Sequence, residues 1–304
     1  MEVLKKVKRI VVPVTLDQAG ENILKFAGAL AKVFEAELLL LYATQSTELT
    51  FTQQSRYIHT LRTFGERVLL RQHESGTGFV RFDCLVRPGT LRKCIKAVVQ
   101  DHYADLVVME ISPLQANADF TPDHASAILE HISCPVMLVP PHTVFQNPDH
   151  LVFATDFTDR DENILRKIGA FASQANAKLT MVQVYNDIQQ NQYIQMMAGM
   201  REVERLVGEQ VSQIRLLNEE DVLEGISDFA EQEDASMLVL ATQDSYLTQR
   251  LFSNAYTKTL AYHTRIPLLL YRQLKRKPCS GCCTTCMNKV STTAQLQTIP
   301  VSQQ

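Results

Sequence analysis

Four cysteines crowd into eight residues near the C-terminus, in the stretch CSGCCTTC. They form two CxxC units placed back to back: Cys279, Cys282, Cys283 and Cys286. A CxxC turn brings two thiolates to one ion, and four thiolates are a common zinc set. Structural zinc sites separate their two pairs, however, so Cu(I) or a site shared between molecules would fit this spacing better. A zinc or copper site is one hypothesis. A redox pair and an unstructured tail with reactive thiols are the others, and we favour the last.

The other residues that could do chemistry do not form a catalytic group. Cys84, Cys94 and Cys134 stand among apolar neighbours, which is typical of small buried side chains. The eight histidines are scattered, and His124 and His131 are seven apart without a carboxylate companion. The sequence contains no HExxH, Gly-x-Gly-x-x-Gly or Walker loop. We therefore expect a protein that is not an enzyme and needs no cofactor. A hydrolase acting on nucleotides is the alternative, because triads assemble from distant residues.

Length and composition favour two globular domains. The chain has 304 residues, of which 45% are apolar, enough for two buried cores. The net charge of -3 gives no basic field for nucleic acid. The N-terminal apolar run is short, contains Pro13 and lacks a small-residue cleavage site, so it predicts a strand and not a signal peptide. No apolar run approaches the ~20 residues of a membrane helix. We expect a soluble, cytoplasmic protein without membrane or nucleic-acid partners.

The chain contains an internal repeat. Residues 21–31 read ENILKFAGALA and residues 162–172 read ENILRKIGAFA, with seven of eleven positions identical at an offset of 141. Further along, residues 104–108 match residues 235–239 at an offset of about 131. The second copy is therefore shorter by roughly ten residues, lost near its middle.

Strand and helix patterns alternate in the same order in both copies. Short apolar runs predict five strands in each copy, and apolar stripes at helical spacing predict the helices between them. Strands separated by helical crossovers imply an open parallel sheet with helices on both faces. The predicted strands lie near residues 10–14, 38–42, 82–86, 106–109 and 135–139, and near 151–155, 179–184, 213–217, 237–241 and 267–271.

The predicted organisation is therefore two tandem five-stranded α/β domains and a tail. A last helix is expected before each closing strand, near residues 125–131 and 249–263. The domain bounds are residues 1–141, a polar linker at 142–149, residues 150–274 and a flexible tail at 275–304.

Several phrases resemble the universal stress protein family. VVPVTLDQAGENIL and VFATDFTDRDENIL are similar to the family's first strand and its turn into helix one. DVLEGISDFAEQEDASMLVLAT resembles the third helix and fourth strand, and ASAILEHISCPVMLVP resembles the last helix and closing strand. The resemblance covers residues 8–140 and 150–272. It implies an adenine nucleotide alpha hydrolase-like, Rossmann-like fold, for which we expect a flavodoxin-like strand order.

ATP-binding members of this family carry Gly-x2-Gly-x9-Gly-Ser/Thr after strand four, where glycines let backbone N–H groups close around phosphates. Neither copy has a glycine in that loop. Pro122-Asp123 and Asn254-Ala255 stand where the family has Gly-Ser. Pro122 has no N–H to donate, and Asp123 would repel a phosphate. The resemblance thus implies that neither half binds ATP as those members do.

One family residue beside the adenine is kept in the second copy alone. The family has an aspartate at the end of strand one; here it is Asp156, whereas Thr15 stands in the first copy. Nucleotide binding (ATP or AMP) in domain two through Asp156 is therefore an alternative, and a simple turn cap is the other. Thr242, Gln243 and Asp244 would line a crevice at the carboxyl ends of the strands, unless they form an ordinary solvated loop, which we favour.

In this family single domains pair through the closing strand, and tandem members resemble that pair within one chain. The resemblance therefore implies an internal pseudo-dimer joined by Val136–Leu138 and Leu268–Leu270, which would cover exposed strand edges. A further homodimer is also expected. The function implied is stress response or regulation through binding of a protein or a small ligand.

Overall fold

The computed structural model describes ten stretches of the chain, and all structural statements below concern them. They are residues 6–44, 46–71, 79–110, 128, 131–154, 161–185, 193–207, 211–220, 222–242 and 266–272. The first 273 residues form one compact unit. No helix in these stretches is long and apolar enough to cross a membrane.

The first half of the chain alternates strands and helices as predicted. Its five strands and three described helices are β1 (Arg9–Pro13), α1 (Gln18–Phe34), β2 (Glu37–Ala43), α2 (Phe51–Arg71), β3 (Phe82–Arg87), α3 (Leu91–Asp101), β4 (Leu106–Glu110) and β5 (Val136–Val139). Within the helix expected near residues 125–131, the structure describes only residues 128 and 131. Ile128 is helical, and His131 lies in a turn.

The second half repeats this order. Its elements are β6 (His150–Ala154), α4 (Glu162–Ala175), β7 (Lys178–Tyr185), α5 (Tyr193–Val207), β8 (Val211–Asn218), α6 (Val222–Gln232), β9 (Met237–Thr242) and β10 (Leu268–Arg272). The helix expected at 249–263 and the tail from residue 275 lie outside the described residues.

All ten strands belong to one sheet, in the order β3-β2-β1-β4-β5-β10-β9-β6-β7-β8. Within each half the pairings are parallel, which confirms the predicted parallel sheets. The expected flavodoxin-like order is wrong, because that order places the third strand beside the first. Here β4 lies beside β1, as in the Rossmann order. Local sequence patterns predict each strand but not which neighbour a crossover reaches.

The two halves meet through their closing strands, as predicted. β5 pairs with β10 in antiparallel register, with Val136 opposite Leu270, Met137 opposite Leu269 and Leu138 opposite Leu268. Most of these side chains are fully buried. The pairing satisfies the hydrogen-bonding groups of two strand edges that would otherwise face solvent.

Helices cover both faces of the sheet. On one face α1, α2, α4 and α5 pack on a core that is continuous across the two halves. Phe34 of α1 contacts Phe171 of α4, with ring centroids 4.8 Å apart. On the other face α3 and α6 pack on a second continuous core. The predicted arrangement of helices on both faces is therefore confirmed.

The scattered cysteines of the first half sit within these cores. Cys94 and Cys134 are buried, as expected, whereas Cys84 on β3 is only partly buried. Burial raises the pKa of the Cys84 thiol to about 11. Burial also raises the pKa of the Cys94 thiol, so Cys84 and Cys94 are neutral packing groups at neutral pH.

Candidate functional site

The site residues predicted from the sequence fall mostly outside the described stretches. Asp156, Gln243 and Asp244 lie there, as do the four tail cysteines Cys279, Cys282, Cys283 and Cys286. Their roles stay predictions. Thr242 is the last residue of β9, and its backbone lies opposite Arg272 of β10. It therefore stands at the carboxyl end of a strand that also neighbours β6.

The strand order places a crevice in the first half between the carboxyl ends of β1 and β4. β1 pairs with β2 on one side and with β4 on the other. The chain winds outward from β1 in one direction and then returns to its other side, which is where open α/β sheets bind ligands. Thr15 follows β1 and Glu110 ends β4, so both residues lie at this crevice.

Asp17 begins helix α1 at the same edge. Its Oδ1 accepts hydrogen bonds from the Gly20 backbone N–H at 3.0 Å and from the Thr15 hydroxyl at 2.5 Å. An aspartate before the first helical turn satisfies an N–H group that has no partner within the helix. Asp17 therefore has a capping role, and it also holds the hydroxyl of Thr15.

Gly20 lets the first turn of α1 approach the end of β1 very closely. A Cβ atom added to Gly20 would lie 1.8 Å from the carbonyl oxygen of Thr15. No real side chain is tolerated at that distance from a backbone atom. The geometry at the start of α1 is therefore set by a glycine that has no counterpart at the aligned position of the second copy, Asp161.

Glu110 brings a partly buried carboxylate to this crevice. Burial raises the pKa of Glu110; the positive charge of His142 lowers it, and the negative charge of Asp17 raises it further. The net effect is a raised pKa, because desolvation disfavours the ionised form. The crevice of the first half therefore carries the carboxylates of Glu110 and Asp17, and His142 is near enough to Glu110 to influence it.

Two further polar groups lie at the carboxyl end of β2. The Thr44 hydroxyl oxygen is buried and has no hydrogen-bond partner in the described part of the chain. Tyr42 stacks near Tyr57, with ring centroids 5.5 Å apart, and burial followed by the charge of Tyr57 raises its pKa. A buried hydroxyl without a partner is unfavourable, so the Thr44 hydroxyl is suited to hydrogen-bond a water molecule or a ligand group.

Sequence reasoning missed Glu110, His142 and Thr44. A charged residue directly after the apolar run Leu106–Met109 was a usable signal for Glu110, because the carboxyl ends of parallel strands share one edge of the sheet. His142 gave no such signal. Its backbone has φ 61°, in the left-handed region, in the turn that follows β5, and its proximity to Glu110 depends on the tertiary structure.

Fewer residues of the corresponding edge are described in the second half. β6 ends at Ala154, and the described chain resumes at Asp161, whose Oδ1 accepts from the Asn163 backbone N–H at 2.9 Å. Helix α4 therefore begins at Glu162, with an aspartate cap of its own. Across the described stretches of both halves, no group of three or more histidine, cysteine or acidic side chains is arranged to hold a metal ion.

Comparison with known proteins agrees with the repeat and the fold. A profile of the universal stress protein family matches residues 6–140 and, again, residues 148–272. No curated protein sequence matches the chain.

Two solved structures have a similar fold over nearly their whole length. A universal stress protein from Archaeoglobus fulgidus DSM 4304 is 12% identical, with a TM-score of 0.64; the match covers 90% of this chain and 98% of that one. A functionally unknown protein from Pseudomonas aeruginosa PAO1 is 18% identical, with a TM-score of 0.57; the match covers 96% and 98%. With the double profile match, these findings show that the chain is a tandem two-domain member of the universal stress protein family.

Proposed function

We propose that this protein is a non-enzymatic stress-response or regulatory protein that acts by binding a protein or a small ligand and does not hold ATP in the manner of the ATP-binding family members. The observation that supports this most strongly is the acidic crevice of the first half. There Glu110 and Asp17 stand near the carboxyl ends of the strands, and the charge of Asp17 helps to raise the Glu110 pKa.

A triphosphate needs positive charge or backbone N–H donors around it. Glu110 is the last residue of β4, directly before the segment that would have to hold the phosphates. That loop contains no glycine in this sequence. At the adenine end, Thr15 stands where the family has aspartate. The Thr15 hydroxyl already donates a hydrogen bond to Asp17. Charge and hydrogen bonding both disfavour ATP in this half.

One pair of described residues resembles a catalytic pair but is not accessible to a substrate. His150 Nε2 lies 2.9 Å from the Thr180 hydroxyl oxygen, which is the arrangement of a base beside a nucleophile. Thr180 is only 1% exposed, however, and its hydroxyl oxygen lies 3.3 Å from that of Ser212. A substrate cannot reach this group. It serves instead to satisfy polar atoms at the start of β6 and β7.

Calorimetric titration of the full chain with ATP, and separately with AMP, tests the proposal. We expect no saturable ATP binding by the wild type or by Asp156→Ala. Stoichiometric ATP binding would overturn the proposal, and its loss in Asp156→Ala would assign the nucleotide to the second half. Asp149→Ala is the matched control, because Asp149 is exposed and lies at the opposite end of β6.

A further inference from the structure

Strand β3 lies at one end of the ten-stranded sheet and, among the described strands, pairs with β2 alone. Two hydrogen bonds show which of its backbone groups face β2. The Leu38 N–H donates to the Arg81 carbonyl at 2.9 Å, and the Thr44 N–H donates to the Arg87 carbonyl at 3.0 Å. The odd-numbered residues of β3 therefore turn their N–H and C=O groups towards β2, because the direction of these groups alternates along a strand.

The even-numbered residues Phe82, Cys84 and Val86 turn their N–H and C=O groups the other way, and we call these groups the outer edge of β3. No described residue forms a hydrogen bond with this outer edge. Unpaired groups on an edge strand can add a strand from another chain, with main-chain hydrogen bonds supplying the affinity. The outer edge of β3 is therefore a candidate interaction surface, provided that the side chains beside it fit a partner.

The side chains of Asp83, Leu85 and Arg87 lie on one face of β3, because alternate residues of a strand share a face. Leu85 packs against the core that α3 covers. Asp83 is exposed and Arg87 is partly exposed, and neither forms an ion pair with any described residue. The strand thus carries one charge of each sign, placed symmetrically about Leu85.

We infer that β3 pairs in antiparallel register with β3 of a second copy of this chain, with Leu85 of each copy opposite Leu85 of the other. A two-fold axis through this point is perpendicular to the sheet. It places Asp83 of each copy opposite Arg87 of the other and Cys84 opposite Val86. Each Cys84–Val86 pair exchanges its outward N–H···O bonds. Asp83 and Arg87 occupy the positions between such bonds, where opposite side chains come closest.

The charges of β3 favour this register over its neighbours. The two strands can slide only by steps that keep outward-facing groups opposite one another. An axis at Cys84 would put Arg81 opposite Arg87, and an axis at Asp83 would put two aspartates opposite each other. Like charges directly opposite destabilise a strand pair. Pro88 disfavours an axis further along the strand, because it has no N–H to exchange.

Charged side chains on an edge strand usually prevent it from pairing. On β3 they are arranged so that one register brings opposite charges together, and a two-fold axis uses each contact twice. A single strand pair buries less area than a permanent dimer does, so we expect a reversible dimer that forms at high protein concentration. The pairing does not involve the crevice between β1 and β4, and its failure would leave the proposed function unaffected.

The test is sedimentation velocity of the full chain from the micromolar to the sub-millimolar range, in a thiol reductant that prevents disulfides between tail cysteines. We expect the wild type to form a dimer with rising concentration. Asp83→Arg and Arg87→Asp should each weaken this dimer about tenfold or more, because each change puts like charges opposite one another twice.

An equimolar mixture of the two variants gives the sharpest readout. One copy then presents two aspartates and the other presents two arginines, so the mixture should associate at least as tightly as the wild type although neither variant does so alone. Arg215→Asp is the matched control, since Arg215 is an exposed arginine of β8, at the opposite end of the sheet. It should form dimers as the wild type does.

Three results would each overturn the inference. The wild type could remain monomeric at every concentration. Its dimer could be unchanged by both charge reversals, or weakened equally by Arg215→Asp. The mixture could fail to associate more tightly than either variant alone. Circular dichroism verifies that the variants are folded, which we expect because Asp83 and Arg215 are exposed and Arg87 is partly exposed.

Discussion

The two halves share their strands and differ where their first helices begin. Helix α1 starts at Gln18, capped by Asp17, whereas α4 starts at Glu162, capped by Asp161. At the repeat offset of 141, Asp161 aligns with Gly20. A side chain at Gly20 would collide with the Thr15 carbonyl, so a copy with aspartate there cannot make the same approach. The α4 helix accordingly begins three residues later in the alignment. The repeat thus preserves the sheet and varies the edge at which open α/β sheets generally bind ligands.

The halves also differ in how they hold each other. Gln174 of α4 makes three hydrogen bonds to the first half, and the residue aligned with it in α1 is Val33, which cannot form hydrogen bonds through its side chain. The antiparallel strand pair β5–β10 is nearly symmetric, but the helix contacts beside it are not. An internal duplication lets each copy specialise, because no symmetry forces the two to use the same residue.

The largest expected effect comes from Gly20→Ala. Alanine for glycine usually stabilises a helix by about 1 kcal/mol. At Gly20, however, the new Cβ would lie 1.8 Å from the Thr15 carbonyl oxygen, so the backbone must shift. We expect a loss of about 3 kcal/mol or more in the free energy of unfolding, measured by urea denaturation.

Asp161→Ala is the matched variant at the aligned position of the second half. It removes one capping hydrogen bond, so we expect a loss of about 1 kcal/mol. Equal losses in the two variants, or a gain in Gly20→Ala, would show that the two helix starts do not differ as described.

An intermediate effect is expected for Gln174→Ala. Each of its three hydrogen bonds crosses between the halves and is partly buried. At about 1 kcal/mol for each bond, the expected loss is about 2 to 3 kcal/mol, measured by thermal and urea unfolding. Gln100→Ala on the exposed side of α3 should change stability by less than about 0.5 kcal/mol. A similar small change in Gln174→Ala would contradict the asymmetric contact between the halves.

The smallest effect is expected for Glu110→Gln, and it depends on pH. Burial holds the pKa of Glu110 above its ordinary value of 4.5. The folded state therefore keeps the proton to a higher pH than the unfolded state does, and stability falls as pH rises from 4.5 through the raised pKa. Glutamine cannot ionise, so the variant should match the wild type below pH 4.5 and melt about 1 °C to 2 °C higher at pH 8. A variant that melts lower than the wild type at pH 8 would mean that the Glu110 carboxylate is stabilising.

The strands were the most predictable part of the fold. Val136–Val139 and Leu268–Arg272 each lie within two residues of their predicted bounds, because apolar runs between turn residues leave little choice of conformation. The strand order was not predictable, since helical crossovers of similar length can reach either side of β1. Of the candidate site, Thr242 ends β9, but its predicted role stays a prediction. The proximity of Glu110 to His142 depends on a residue 32 positions further along the chain.

The resemblance to the family implied that β5 and β10 join the halves. The residues alone predicted the duplication, the parallel α/β class and the lack of glycine in both loops after the fourth strand. These properties depend on local periodicity and on a comparison of one half with the other. The close approach of Gly20 to Thr15, the edge shared by Glu110 and Asp17, and the hydrogen bonds from Gln174 to the first half are evident only in the folded chain. All but the first of these contacts join residues more than 90 positions apart. Their geometry follows from the packing of helices on the sheet, which no local pattern encodes.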